Sequence, residues 1–389
     1  MGSLVTQTRQ RDTAPDVLRG FALLGILIVN IPFMALNSQE GARGDGVQGF
    51  ANGSAAFIMS AIFLGKFYLL FSFLFGYSSG YIVSGERTNR KRWLKRCIVL
   101  MILGAIHFTL LWHGDILFMY GLFGLLLLPF FFRADRTLKI WTRAIYGTFS
   151  FLLIVFAALV YIGERFFPEE SLSPDSLSTL DEVLRDGTLL ESIAPRLELW
   201  VIGILGSGLV LQGGFAFAAF LVGLRAARAN FLSDSIDLGL SSKMIRYGFF
   251  IGLPIQVILA WILVRNEQSL NVSEATFIGT TVLAFAAAPL LSMGYVGLIL
   301  RLIKTKSTLV AWMSPAGRMS LTVYISQSIL ASFIFGPWGL GLFQKIELWQ
   351  VLLTAVGIWI FLVYISKLWL GRFSQGPLEW LVGALTKGQ

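Results

Sequence analysis

Long apolar segments, separated by loops that alternate between rich and poor in Lys and Arg, constrain this chain more than any other feature. A bilayer core about 30 Å thick needs about 20 apolar residues per helix. Segments of that kind recur near 17–36, 55–83, 97–112, 115–132, 144–163, 199–224, 247–264, 276–300, 319–336 and 350–368. Backbone groups in hydrocarbon have to be satisfied within their own segment, so these stretches predict helices. The expected fold class is all-α, a polytopic transmembrane helix bundle of about ten spans. Only 14% of the residues are charged, against about 25% in an ordinary soluble domain, and 56% are hydrophobic. That balance excludes a typical cytosolic enzyme, a coiled coil and a disordered chain.

The alternation of the loops orients the bundle. Of 31 Lys and Arg residues, 24 fall on one side, six fall on the other and one, Lys66, lies inside a span. Basic residues accumulate on the cytoplasmic side, so both termini are expected there, and the net charge of +9 reports topology, with no nucleic-acid partner implied. One loop is long. Residues 164–198 carry nine acidic residues against three basic ones, with Pro168, Pro174 and Pro195 as breakers. It reads as an extracytoplasmic connector or a lid, and Leu180, Val183, Leu184 and Leu190 predict a short surface helix over 178–191. The loop divides the chain into an N-terminal five-helix half, 1–163, and a C-terminal one, 199–389. The bilayer is the first expected partner, and a homodimer remains open.

Ionisable groups inside spans are costly and mark candidate sites. Lys66 stands ~16 Å below the outer surface by helical rise. It either serves a buried charge or pairs with a helix-end carbonyl or carboxylate. His107 lies ~15 Å from the cytoplasmic face of the third span. Asn30, Gln212, Gln256 and Gln327 fall near the middle of their spans, as the walls of a polar cavity or as interhelical glue. Trp112-His113-Gly114-Asp115 forms the outer turn of a tight helical hairpin. A carboxylate two residues from an imidazole can fix its tautomer and leave the other nitrogen to accept a proton. Asp115 can equally cap the following helix. His113 is therefore the expected base, and His107 the reserve.

At the cytoplasmic boundary, Arg19 and Arg318 open the first and ninth spans at similar depth, where two guanidinium groups can receive the phosphates of a nucleotide-bearing donor such as coenzyme A. Two histidines and the single Cys97 supply no metal-ligand spacing, so no metal is expected. There is no Gly-rich phosphate loop, His-Glu-x-x-His or Gly-x-Ser-x-Gly, which speaks against hydrolysis driven by a nucleoside triphosphate.

Several of these strings together resemble the YeiB-type family of bacterial multi-spanning membrane proteins. They are Asp16-Val17-Leu18-Arg19-Gly20-Phe21-Ala22-Leu23-Leu24-Gly25-Ile26 with Asn30, Gly65-Lys66-Phe67, Phe71-Ser72-Phe73-Leu74-Phe75-Gly76, and Gly114-Asp115-Ile116-Leu117 with Tyr120. They continue with Ala316-Gly317-Arg318-Met319-Ser320-Leu321-Thr322, Tyr324, Gln327-Ser328 and Gly376-Pro377-Leu378-Glu379-Trp380. The N-terminal half is similar to heparan-α-glucosaminide N-acetyltransferase and related membrane acyltransferases, which use a histidine after the first helix. Here 37–60 contains no histidine, so any histidine chemistry falls to His107 or His113.

The resemblance implies a membrane-embedded acyltransferase of the bacterial inner membrane. It would move an acyl group from a cytoplasmic acyl-coenzyme A, bound transiently and not as a resident cofactor, to an extracytoplasmic sugar or lipid acceptor. His113, Asp115, His107 and Lys66 are the expected catalytic groups. Arg19, Asn30, Arg318, Gln327 and Tyr120 are the expected donor- and substrate-binding ones. The rival expectation is a transporter or exporter of a small molecule or lipid, with Lys66, His107 and the amides lining its path.

Overall fold

The computed structural model describes residues 12–167, 179–203, 208–209, 212–233 and 237–386, and the regular structure among them is helical throughout. The helices are α1 (Thr13–Asn30), α2 (Gly49–Ile58), α3 (Lys66–Val83), α4 (Arg90–Leu110), α5 (Leu117–Leu126), α6 (Asp135–Phe166), α7 (Thr179–Asp186) and α8 (Ile193–Gly203). They continue as α9 (Gly214–Arg228), α10 (Leu238–Tyr247), α11 (Leu253–Glu267), α12 (Glu274–Lys304), α13 (Thr308–Arg318), α14 (Ser320–Phe335), α15 (Leu348–Leu370) and α16 (Pro377–Thr386).

Among the described residues, seven segments are long and apolar enough to cross a bilayer: Thr13–Asn30, Gly49–Val83, Arg87–Leu110, Asp135–Phe166, Leu238–Glu267, Glu274–Lys304 and Leu348–Leu370. These mark a membrane protein. The other three expected spans coincide with shorter pieces. α5 and α14 are apolar but short, because Pro129 and the Gly336-Pro337 pair follow them. α8 and α9 flank 204–207 and 210–211, which are outside the described residues. In the acidic loop, α7 begins at Thr179 within the expected 178–191 helix. It buries Leu180, Asp181 and Leu184, and Asp181 accepts the Ser38 amide at 3.0 Å. Residues 168–178, with Pro168 and Pro174, lie outside the described residues.

Small residues set the closest helix crossings, as expected where lipid supplies no hydrophobic drive between helices. A Cβ at Gly76 of α3 would strike the Phe220 backbone of α9, and one at Gly223 would strike the Phe73 carbonyl in return. Gly20 of α1 and Gly317 of α13 are locked in the same way against Met313 and Asp16.

The second expected span is not continuous. After α2 a π-helical turn covers Met59–Phe63, and the chain then breaks at Leu64 and Gly65 before α3. Gly65 has φ +81°, a left-handed conformation that costs glycine little and other residues more. Buried carbonyls freed by such a break need donors. Lys66 Nζ donates to Ser60 O at 2.8 Å and Tyr295 Oη to Ile62 O at 2.9 Å, while Ser292 Oγ donates to Lys66 O at 3.0 Å. Lys66 thus has a helix-end carbonyl as its partner.

Candidate functional site

α4 and α5 form the hairpin. α4 ends at Leu110, and the amides of Leu111 and Trp112 both return to the His107 carbonyl, at 2.8 and 3.1 Å. The chain then reverses and brings Asp115 back beside the last full turn of α4. Gly104 makes room for this: a Cβ there would lie 2.6 Å from Asp115 Oδ1 and would overlap the Phe118 amide.

In that space Asp115 does two things. Its Oδ1 accepts the Phe118 amide at 2.7 Å, capping the first turn of α5, and its Oδ2 meets His107 Nδ1 at 2.7 Å. The other imidazole nitrogen, Nε2, meets Ser328 Oγ of α14 at 2.8 Å. The side chains of His107 and Asp115 are both 0% exposed, and Ser328 is buried. An ionised carboxylate only accepts, which makes Nδ1 the protonated nitrogen and leaves Nε2 to accept from the Ser328 hydroxyl. Tyr324, one turn before Ser328 on α14, sets its ring 5.2 Å from the imidazole.

The expectation that Asp115 orients His113 is therefore corrected: the carboxylate is committed to His107 and to the helix cap. The reversal at 111–114 turns the nearer histidine away, whereas position 107 sits directly beneath the returning carboxylate. His113 is instead hydrogen-bonded to the Ser38 backbone. Burial, reinforced by the positive charge of Arg196, pushes its imidazole down to about 4 against the Ser38 bond, so in this loop it is neutral at pH 7.

A cavity of about 480 Å³ opens beside the hairpin turn. Asn30, Tyr68, Trp112, His113, Asp115, Tyr120, Trp200 and Gln212 are among the residues that line it. Three donors on these walls, Tyr68 Oη, Trp112 Nε1 and Trp200 Nε1, are buried with no hydrogen-bond partner among the described residues. Buried polar groups are normally paired, so such donors are ones a ligand oxygen can satisfy. Tyr120 Oη is already engaged, with Ser72 Oγ at 2.7 Å and Tyr68 O at 3.2 Å.

The remaining expected residues divide. Asn30 and Gln212 reach the cavity wall. Gln327 donates to Leu23 O at 3.1 Å and Gln256 to Ala284 O at 2.9 Å, so these two amides bind helices together. Lys66, fully buried at the helix break, is not part of the cavity lining. Arg19 pairs with Asp16 at 2.9 Å and donates to Ser78 Oγ at 2.6 Å. Arg318 donates to Ser374 O at 3.1 Å. The crossing of α1 over α13 brings both helix ends to one level through Gly20 and Gly317.

The sequence carries no pattern that singles out Tyr68 or Trp200, and among the family-like strings Ser328 stands out only as the neighbour of Gln327. A usable signal was present for Ser328. Tyr324 and Ser328 stand four residues apart on one face of an apolar helix, a spacing that puts two polar side chains toward the same partner.

Comparison with known proteins finds similar chains in bacteria. The family described as "Protein of unknown function (DUF418)" matches residues 226–389, which include Ser328 but neither His107 nor Asp115. The chain is 29% identical to the uncharacterized protein YxaH of Bacillus subtilis, over 97% of this chain and 94% of the relative. It is 28% identical to the uncharacterized protein YeiB of Escherichia coli, over 97% and 96% of the two chains. With an uncharacterized 39.9 kDa protein from the amylase 3′ region of Bacillus acidopullulyticus the identity is 27%, over 95% and 92%.

Proposed function

We propose that this YeiB-like membrane protein is an acyl-transfer enzyme of the bacterial inner membrane, with Ser328 as nucleophile, His107 as base and Asp115 as the group that orients the base. The observation that carries this reading is the unbroken chain from Ser328 Oγ to His107 Nε2 and from His107 Nδ1 to Asp115 Oδ2, at 2.8 and 2.7 Å. Nucleophile, base and orienter within hydrogen-bond reach define activated-serine chemistry irrespective of fold or chain order.

The steps follow from the geometry. Ser328 Oγ adds to the carbonyl carbon of an acyl thioester as His107 Nε2 takes its proton. Collapse breaks the carbon–sulfur bond, the departing thiolate receives that proton, and the acyl group remains as an ester on Ser328. An acceptor hydroxyl then loses its proton to Nε2 as its oxygen attacks the ester, and Ser328 recovers the proton on leaving. Each addition puts negative charge on the carbonyl oxygen. The Trp112 N–H, without a partner among the described residues and on a ring whose centre is 6.4 Å from that of His107, is the donor we assign to it.

Both termini are taken as cytoplasmic and the chain as multi-pass. The donor, an acyl-coenzyme A, arrives at the level of Arg19 and Arg318. Ser328 stands eight residues along α14 from Ser320, a rise of ~12 Å that the acyl-bearing arm has to bridge. The acceptor, a sugar or lipid hydroxyl, comes from the cavity side, where Asn30, His113 and Gln212 offer polar contacts. The test is thiol release from acetyl-coenzyme A by the protein in lipid nanodiscs. Turnover in wild type that disappears in Ser328→Ala and His107→Ala supports the reading, and no turnover, or full turnover in both variants, rejects it.

One observation favours a second reading. The break at Gly65 divides a span near its middle, a feature of transporters that bind substrates between half-helices. Flux of a small solute or lipid into protein-containing liposomes, without any thioester, would favour that alternative.

A further inference from the structure

A second and larger cavity, about 920 Å³, lies on the side of the bundle between α6, α9, α10 and α12. α6 packs against α9 and α12 along one side and presents its other side outward. Along this helix only Leu138 and Leu153 are buried, while Phe151, Leu152, Phe156 and Tyr161 are exposed to the surroundings. Along the groove α9 is cut back to Ala218, Ala219, Val222 and Ala226, with Ala229 just past its end, which leaves a space that larger side chains would close. Pro289 of α12 adds to the opening, since an interior proline loosens its helix locally.

The inside of this groove has no hydrogen bond to offer. Its polar side chains are already committed: Thr142 to Leu138 O, Tyr146 to Ala286 O and Ser292 to Lys66 O and Ala288 O. What remains along the wall is alkyl and aromatic, from Leu69, Leu70, Phe73, Phe215 and Met293. At one end the character changes, because Arg143, Arg225 and Arg228 stand against a single carboxylate, Asp135. Asp135 is held by Arg225 at 2.6 Å and by Lys139 at 3.1 Å, and Arg228 donates to the carbonyls of Phe130, Phe131 and Arg133. The exposed Arg143 side chain makes no hydrogen bond or ion pair among the described residues. From Arg228 to Phe215 the groove follows α9 for ~20 Å, the length of an extended hydrocarbon chain.

We propose that this groove holds one anionic phospholipid from the surrounding bilayer, its phosphate on Arg143 and Arg225 at the basic rim and one acyl chain along α9 toward Phe215. An unmet cation at the mouth of a dry apolar slot, open sideways on a membrane protein, matches the two ends of such a lipid. Basic pockets between transmembrane helices on the cytoplasmic side recognise anionic headgroups in this way. The site is separate from Ser328 and His107 and does not depend on the acyl-transfer reading.

Native mass spectrometry of the detergent-purified protein, titrated in parallel with phosphatidylglycerol and phosphatidylcholine, tests it. The expected result is at least a fivefold preference for phosphatidylglycerol. That preference should be lost in Arg143→Glu, which reverses the rim charge, and in Val222→Trp, which fills the groove from an already exposed position. Both variants should keep the wild-type elution profile and thermal midpoint. If either unfolds, Arg143→Gln and Ala219→Leu make the same comparison more gently. Equal binding of the two lipids, or adducts unchanged by the rim and groove variants, overturns the proposal. So does displacement of phosphatidylglycerol by millimolar inorganic phosphate, which assigns the rim to a free anion.

Discussion

Asp115 and His107, eight residues apart across a chain reversal, meet at 2.7 Å in a fully buried pair, and the same carboxylate caps the helix that follows. Orientation of the imidazole and closure of the hairpin are therefore one structural event. A disturbance of either reaches the other.

Replacing Asp115 separates the two roles. In Asp115→Asn the side-chain oxygen still accepts the Phe118 amide, so expression and thermal midpoint should stay near wild type. The amide can no longer hold His107 in the required tautomer, and acyl transfer should fall by about a hundredfold or more. Asp115→Ala removes the cap as well and should unfold at lower temperature than Asp115→Asn, by about 1–3 kcal/mol of stability. Thermal denaturation in detergent alongside thiol release distinguishes the two variants.

Gly104 is the position through which the hairpin closes. A methyl group in Gly104→Ala collides with Asp115 Oδ1 and the Phe118 amide, neither of which can retreat without losing its bond. Overpacking of this kind costs about 1–3 kcal/mol. The variant should lose thermal stability and activity together. Ile106→Ala, at a half-exposed position on the same helix, should change both much less.

These two residues also show how far the sequence could be read. Hydropathy and loop charge are sums over many residues, so the helical bundle, the tight hairpin and the isolation of Lys66 were legible. The partner of Asp115 was not. Whether it meets position 107 or 113 depends on where α4 ends, and that is decided by two amides folding back on the His107 carbonyl. Ser328, 221 residues from His107, is brought in by the packing of α14; its spacing from Tyr324 marks a polar face but does not name the partner. Residue type alone marks Lys66 as anomalous inside a span. The break at Gly65 selected the helix-end carbonyl, a backbone feature that residue types barely announce.

Lys66 leads to a stability prediction. Its Nζ supplies the donor for Ser60 O at the break, so Lys66→Met leaves a buried carbonyl without a partner. The expected loss is about 1–3 kcal/mol. Lys66→Gln, which keeps a donor, should recover part of it. Both are read as shifts in the thermal midpoint at constant lipid and detergent.

His113 sets a pH dependence. Its folded imidazole titrates at about 4, against an ordinary value near 6.5 for a free histidine. Between these values the unfolded chain binds the proton that the folded loop refuses. The contribution of His113 to stability is thus complete above the unfolded value and is lost as pH falls toward 4. The thermal midpoint of wild type should drop over that window more than that of His113→Gln.

The most direct measurement is to look for the acyl group itself. The protein in nanodiscs is incubated with acetyl-coenzyme A labelled in the acetyl group, without acceptor, quenched in acid and digested, and the peptides are mapped by mass spectrometry. The account predicts an acetyl ester on Ser328, formed in wild type, absent in Ser328→Ala and strongly reduced in His107→Ala and Asp115→Asn. Label on another residue, or thiol release with Ser328 unmodified at every time point, would contradict it.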